Sequence, residues 1–122
     1  MALWYTKDQW HAKAADAYGA IAQGRVRFTT TSYVLLECGN AASRLPFKED
    51  VVDLRERLRA RGCLVEPSEA DVNLAWTAYQ RGEAAQAGIV DHVSFTVMRR
   101  LGISKAFTND AHFRAAGFET LY

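Results

Sequence analysis

Three acidic residues, Glu37, Asp91 and Asp110, interrupt apolar stretches of this 122-residue chain, and their chemistry could support a metal ion. Several carboxylates at one place repel one another unless a cation neutralises them. Carboxylate oxygens suit Mg²⁺ or Mn²⁺, and such an ion can activate water for attack on a phosphodiester. The spacing alone is loose, however. Taken by themselves, the residues favour an ordinary interpretation: a solvated helix residue, a helix N-cap and a turn former.

The stretch from Asp91 to Asp110 predicts how two of these acids could meet. Its first half has the apolar spacing of a helix that Gly102 would end. Residues 104–107 then have the composition of a short buried strand. In an open α/β sheet, ligand sites collect at the carboxyl ends of strands and the amino ends of helices. Asp91 and Asp110 should therefore face one edge of a sheet. The apolar helix face consists of Val90, Val93, Val97, Met98 and Leu101.

Alternating helical and strand patterns predict an α/β fold, in which a parallel sheet of about four short strands is flanked by helices. Ala75, Trp76 and Tyr79 should carry one helix inward, and Ser68 and Asp71 should cap its start. No domain boundary is visible, so residues 1–122 should form a single domain. Helices are predicted over 9–23, 33–43, 48–61, about 91–101 and 111–116, with another beginning at 67–68; strands are predicted over 25–29, 63–65, 104–107 and 118–122.

Composition excludes several classes of protein. The net charge of +1 gives no overall electrostatic footprint for nucleic acid, although a local basic patch is still possible. Cys38 and Cys63 lack metal-ligand spacing and are interpreted as buried free thiols. There is no signal peptide, and no apolar run approaches the ~18 residues of a membrane span. A soluble cytoplasmic protein without a membrane partner is expected.

Histidines and basic residues offer weaker candidates. His92 and His112 each neighbour one of the acids and could touch a substrate, but both are expected to be exposed residues at helix starts. No zinc spacing is present. The basic face formed by Lys48, Arg55 and Arg59 is interpreted as a solvated helix surface in preference to an RNA track.

Three segments together closely resemble the PIN-domain family, and most of all its bacterial VapC-type toxins. They read Thr-Ser-Tyr-Val-Leu-Leu-Glu, then Asp-His-Val-Ser-Phe-Thr-Val-Met-Arg-Arg-Leu-Gly-Ile, then Ala-Phe-Thr-Asn-Asp-Ala-His-Phe-Arg-Ala-Ala-Gly-Phe. The similarity runs from Asp8 to Tyr122. It implies a flavodoxin-like parallel sheet and a metal-dependent ribonuclease, with Glu37, Asp91 and Asp110 as metal-site acids. Thr108 matches a hydroxyl position beside the last acid.

The chain departs from the family at its start. Members open with a central strand that ends in a further site Asp, and Met1 falls after that point. Three interpretations stay open: the natural protein starts upstream, residues 2–6 fill the strand position with Asp8 as a substitute ligand, or the protein is degenerate. Because unpaired strand edges recruit strands, association of the chain with another copy is expected in preference to strand replacement.

The resemblance implies two alternative functions. The first is a Mg²⁺- or Mn²⁺-dependent endoribonuclease, the toxin of a toxin–antitoxin pair, with RNA as substrate, a protein antitoxin as partner and a homo-oligomeric state. The second is a degenerate, non-catalytic PIN-like module that binds RNA or a partner protein.

Overall fold

The computed structural model describes residues 27–122. The chain divides into two compact units, and the boundary in the sequence lies between Val65 and Glu66. Within residues 27–122, each unit contains helices and one pair of short parallel strands. The predicted helix over 9–23, the segment 2–6 and Asp8 lie outside the described residues. The expectation that the whole chain forms a single domain stays a prediction.

The first unit is built on a parallel pair of two-residue strands. Strand β1 is Thr30–Thr31 and β2 is Leu64–Val65, with Thr30 opposite Leu64 and Thr31 opposite Val65. Helix α1 covers Ser32–Ala42, and α2 covers Lys48–Ala60. Both helices confirm the sequence prediction to within one residue at each end.

The first strand that the structure describes begins after residues 27–29, which the sequence placed in a strand over 25–29. Residues 27–29 carry no strand, because pairing begins where the Thr30 amide donates to the Cys63 carbonyl at 3.1 Å. Ser32 follows the strand directly as the first residue of the next helix. The Thr31 hydroxyl caps that helix, since it accepts a hydrogen bond from the Val34 amide at 3.3 Å and so satisfies a free helix donor.

Among the described residues of the first unit, two small apolar clusters pack its helices and strands together. One lies between the start of α1, the end of α2 and β2, and the other lies at the opposite end of the two helices. Cys63 is buried and Cys38 is half-buried, and both are free thiols, as predicted. The clusters comprise Leu35, Leu58 and Cys63, and Ala42, Phe47 and Val51.

The second unit contains the remaining helices and strands. Strands β3 and β4 are parallel, with Lys105 opposite Glu119 and Ala106 opposite Thr120. The α/β class with four short parallel strands is confirmed, and the strands are joined as two pairs. In the part of the chain that the structure describes, no helix is long and apolar enough to cross a bilayer. The elements are α3 Glu69–Gln80, α4 Glu83–Gln86, α5 Ile89–Leu101, β3 Lys105–Ala106, α6 Ala111–Ala115 and β4 Glu119–Thr120.

Helix α3 is anchored at its first turn. The Ser68 side chain accepts from the Asp71 amide at 3.1 Å and the Asp71 carboxylate accepts from the Ser68 amide at 3.0 Å, which confirms the predicted capping box. Both oxygens of buried Asp71 also accept from Arg100, each at 2.9 Å. These hydrogen bonds from Arg100 hold the pKa of Asp71 below its ordinary value. One carboxylate thus joins the start of α3 to the end of α5.

The aromatic residues of α3 do not lie where the sequence placed them. Ala75 is fully buried, as predicted, but Trp76 is 50% exposed and Tyr79 is 47% exposed. The prediction that these two rings point inward is wrong. Position 76 follows Ala75 by a single residue, a step of about 100° around the helix. Ala75 and Trp76 therefore cannot both face the centre of the same core.

Helix α5 is the most buried helix among the described residues. Val93 and Val97 are buried, as predicted, but Leu101 at its end is exposed. The buried face extends instead to His92, which is only 2% exposed, so the expectation of an exposed His92 is wrong. The His92 ring contacts Phe95 edge-to-face, with ring centroids 5.5 Å apart. Gly102 ends the helix with φ of 71°, as predicted.

A left-handed turn precedes α5. Ala84, Ala85 and Gln86 have φ of 53°, 56° and 61°, a conformation that costs roughly 1–2 kcal/mol for each residue with a side chain. The strain is local to α4, which follows Gly82 in the same left-handed region.

Replacing Asp71 by Asn should lower the free energy of unfolding by about 2 kcal/mol near neutral pH, because the charged hydrogen bonds to Arg100 are lost. The pKa of Asp71 is depressed in the folded state. Its stabilisation is therefore present above the ordinary carboxyl pKa and is lost as pH falls through the folded value. Urea unfolding at about pH 7 and about pH 3 should show the difference between wild type and variant shrinking in acid.

Glu69→Gln is the matched control, because Glu69 is exposed on the same first turn and contributes about 0.3–1 kcal/mol through the helix dipole. If Asp71→Asn lowers the free energy of unfolding no more than Glu69→Gln does, the stabilising role of the Asp71–Arg100 pair is contradicted.

Replacing Ala85 by Gly should raise the free energy of unfolding by about 1 kcal/mol, because glycine adopts positive φ without a steric penalty. Ala85 is exposed, so little packing is lost. Ala70→Gly, at an exposed position in right-handed α3, should have the opposite sign and cost up to about 1 kcal/mol. Thermal unfolding of both variants measures the contrast, and the same sign for both would rule out the strained turn.

Candidate metal centre

The turn between β3 and α6 fixes Asp110 through short-range hydrogen bonds. The Asp110 amide donates to the Thr108 hydroxyl at 3.1 Å, and the Asp110 carboxylate accepts from the His112 amide at 2.8 Å. Asp110 is thereby the N-cap of α6. Arg114 secures the turn from outside by donating to the Asn109 carbonyl and the Thr120 hydroxyl, each at 3.2 Å. One oxygen of Asp110 is thus used for capping, and a carboxylate has further lone pairs for a ligand.

Asp91 reaches the same place from α5. It lies in the first turn of that helix, three residues after the N-cap Gly88, and is half-buried. A carboxylate in this position is stabilised by the positive end of the helix dipole. The prediction that one acid begins a helix and another follows a strand is therefore confirmed by the element bounds.

The two acids lie together with a histidine. Asp91, Asp110 and His112 each offer one potential ligand atom, and these atoms lie within 4.8 Å of one another. The His112 Nδ1 atom lies 3.4 Å from Asp110 Oδ1, and among the described residues no hydrogen-bond partner for this buried nitrogen is found. The side chains of His112 and Asp110 are 36% and 43% exposed, so solvent reaches the cluster. His112, which the sequence predicted to be an exposed residue, is half-buried and is the third member of this group.

Aromatic packing sets the distance between the two halves of this cluster. Phe95 lies one helical turn after Asp91, and Phe113 follows His112 directly. The two rings pack edge-to-face with centroids 4.8 Å apart, and Phe118 packs against Phe95 at 5.6 Å. Phe95 is completely buried. The pair therefore joins α5 to α6 a few residues from the acids that each helix carries.

The other predicted site residues have separate positions. Thr108 lies beside the cluster, and its hydroxyl holds the turn as an acceptor for the Asp110 amide. Glu37 lies on the exposed side of α1 in the first unit, and its position is described within that unit alone. Its role as a metal ligand stays a prediction, as does that of each of the other acids.

The donor set of the cluster fits a divalent cation. Ligands about 2.1 Å from an octahedral ion lie about 3.0 Å apart when adjacent and about 4.2 Å apart when opposite. The spacing of 3.4 Å between His112 and Asp110, within a group spanning at most 4.8 Å, needs only small side-chain movements to reach these values. The orphaned Nδ1 atom is a further sign that a partner fits here.

Comparison with solved structures relates the fold to that of a known toxin. The structure is similar to the crystal structure of Mycobacterium tuberculosis VapC20, described as a toxin that cleaves the sarcin–ricin loop. The TM-score is 0.78 at 26% sequence identity, over 96% of this chain and 88% of that chain. No protein-family model matches the chain, and no curated protein matches it. The predicted resemblance to VapC-type PIN domains and the predicted PIN-like α/β fold are confirmed.

Removing the hydroxyl of Thr108 tests how the turn holds Asp110. Thr108→Val should lower the free energy of unfolding by about 1 kcal/mol, because the Asp110 amide loses its acceptor. Thr108→Ser keeps the hydroxyl and should retain most of that stability. Urea unfolding followed by circular dichroism distinguishes the two, and an equal loss in both variants would show that the methyl group, not the hydrogen bond, matters.

Proposed function

We propose that this chain, which resembles the VapC-type PIN domains, is a Mg²⁺- or Mn²⁺-dependent endoribonuclease and the toxin of a toxin–antitoxin pair. Asp91 and Asp110 hold the metal, Glu37 is a further site acid, and Thr108 positions Asp110. The observation that carries the proposal is the convergence of Asp91 and Asp110, from two different helices, within a group of ligand atoms at most 4.8 Å apart.

The electrostatics of the site support a cation. Two ionised carboxylates at this separation repel each other, and a divalent ion relieves that repulsion. When bound, such an ion would lower the pKa of a coordinated water and stabilise negative charge on a phosphodiester. The chain's own contribution is to hold the ligand oxygens: α5 presents Asp91, and the hydrogen-bonded turn presents Asp110.

The choice of RNA as substrate rests on the similar protein. VapC20 is described as a toxin that cleaves the sarcin–ricin loop, and the two chains are 26% identical over 96% of this one. The similarity to VapC20 supports RNA cleavage as the general activity, and the experiment below identifies the cleaved sequence. A protein antitoxin, a homo-oligomeric state and a cytoplasmic location belong to the same proposal.

Asparagine variants of the two acids test the proposal. Purified wild type with Mn²⁺ should cleave structured ribosomal RNA, and Asp91→Asn and Asp110→Asn should each reduce the rate by about 100-fold or more, since each loses a charged ligand. Asn is also a good N-cap, so Asp110→Asn should still fold. Cleavage is followed on gels and mapped by primer extension, with EDTA as a second way to remove activity.

Glu119→Gln is the control, because Glu119 is an exposed acid on β4 of the same unit and is outside the proposed site. It should cleave at the wild-type rate. Cleavage that persists unchanged in both asparagine variants would indicate a contaminating nuclease and contradict the proposed site. A wild type that binds the RNA with Mn²⁺ present but leaves it intact would favour the alternative, a non-catalytic PIN-like module.

A further inference from the structure

His112 is held against the two acids by features that do not use its ring. Its amide donates to Asp110 Oδ1 at 2.8 Å as part of the helix cap. Its ring nitrogen Nδ1 is buried, lies 3.4 Å from the same oxygen and makes no hydrogen bond to any residue that the structure describes. A buried nitrogen without a partner is costly, so its position calls for a function.

The separation of Nδ1 from Asp110 Oδ1 matches two ligands sharing one metal ion better than a hydrogen-bonded pair. A hydrogen bond between an imidazolium and a carboxylate is about 2.7–2.9 Å long. Adjacent ligands of a six-coordinate ion are about 3.0 Å apart, and those of a tetrahedral ion about 3.3 Å. The observed 3.4 Å lies at the longer of these values, and Asp91 completes a three-atom group within 4.8 Å.

We propose that His112 Nδ1 is a nitrogen ligand of the metal held by Asp91 and Asp110, and that it makes this site prefer Mn²⁺ and other first-row transition ions over Mg²⁺. The inference rests on the proposed function, because it takes a metal at these acids as given. Neutral imidazole is a good ligand for transition metals, whereas Mg²⁺ prefers oxygen ligands and keeps its waters. Residue 112 therefore sets which ion the site selects.

The ring is positioned for this role by its neighbours in the chain. Phe113 packs against Phe95 in the core at 4.8 Å, and Asp110 caps the same short helix. The position of the His112 backbone is thus fixed on both sides, so the ring needs only side-chain rotation to adjust to an ion. Such preorganisation limits the entropy lost on metal binding.

Metal binding to the purified chain tests the inference without an RNA substrate. Mn²⁺ affinity is measured by electron paramagnetic resonance titration, and Mg²⁺ affinity by competition. Electron spin-echo modulation on the bound Mn²⁺ detects a directly coordinated nitrogen. His112→Gln and His112→Ala should each weaken Mn²⁺ binding about tenfold or more and remove the nitrogen signal, while Mg²⁺ affinity changes much less. Lys105→Gln, at an exposed position of β3, controls for general charge effects.

The outcomes separate this inference from the proposed function. Bound Mn²⁺ with a nitrogen signal that is lost in both variants, each shown by circular dichroism to be folded, supports ligation by His112. Bound Mn²⁺ without that signal, or with unchanged Mn²⁺ and Mg²⁺ affinities in both variants, overturns the inference and leaves the two-carboxylate site intact. No Mn²⁺ binding by wild type overturns both the inference and the proposed metal site.

Discussion

The contact between Phe95 and Phe113 is the constraint on which the candidate site depends. Asp91 lies in α5 and Asp110 lies in the turn before α6, and two negative charges tend to move apart. Packing that fixes α5 against α6 helps to keep their oxygens in one group. The edge-to-face pair, with centroids 4.8 Å apart and Phe118 beside it, provides this fixed point in the core. Aromatic pairs of this kind add about 0.5–1.5 kcal/mol beyond the area they bury.

The features that the sequence predicted correctly are those encoded within a few neighbouring residues. The capping box of Ser68 and Asp71 and the left-handed stop at Gly102 depend on local backbone geometry. The positions of Asp91 at a helix start and Asp110 after a strand follow from the same local signals. Because α/β folds gather these ends at one edge, local prediction sufficed to anticipate that the two acids meet.

The features that the sequence missed depend on which neighbours a side chain finds across the fold. Trp76 and Tyr79 have the composition of core residues, but Trp76 lies beside the face that buries Ala75. Tyr79 is 47% exposed although it follows Ala75 by one helical turn. His92 looked like a polar residue at a helix start, yet its ring is buried against Phe95 at 5.5 Å. Helical periodicity gives the angle between residues on one helix, whereas the direction of the core is set by the other elements.

His112 shows the same limit at the site itself. Sequence placed it next to a candidate acid, but a neighbour in the chain need not share a site with that acid. The cap geometry decides the question: once Asp110 accepts the His112 amide, the first turn of α6 brings Nδ1 within 3.4 Å of the carboxylate. A single hydrogen-bonded turn therefore positions both the Asp110 carboxylate and the His112 imidazole. The position of Asp91 depends on tertiary packing. The Asp110 oxygen and the His112 nitrogen are in place whenever α6 forms. Completion of the candidate site therefore depends on the packing of α5 against α6.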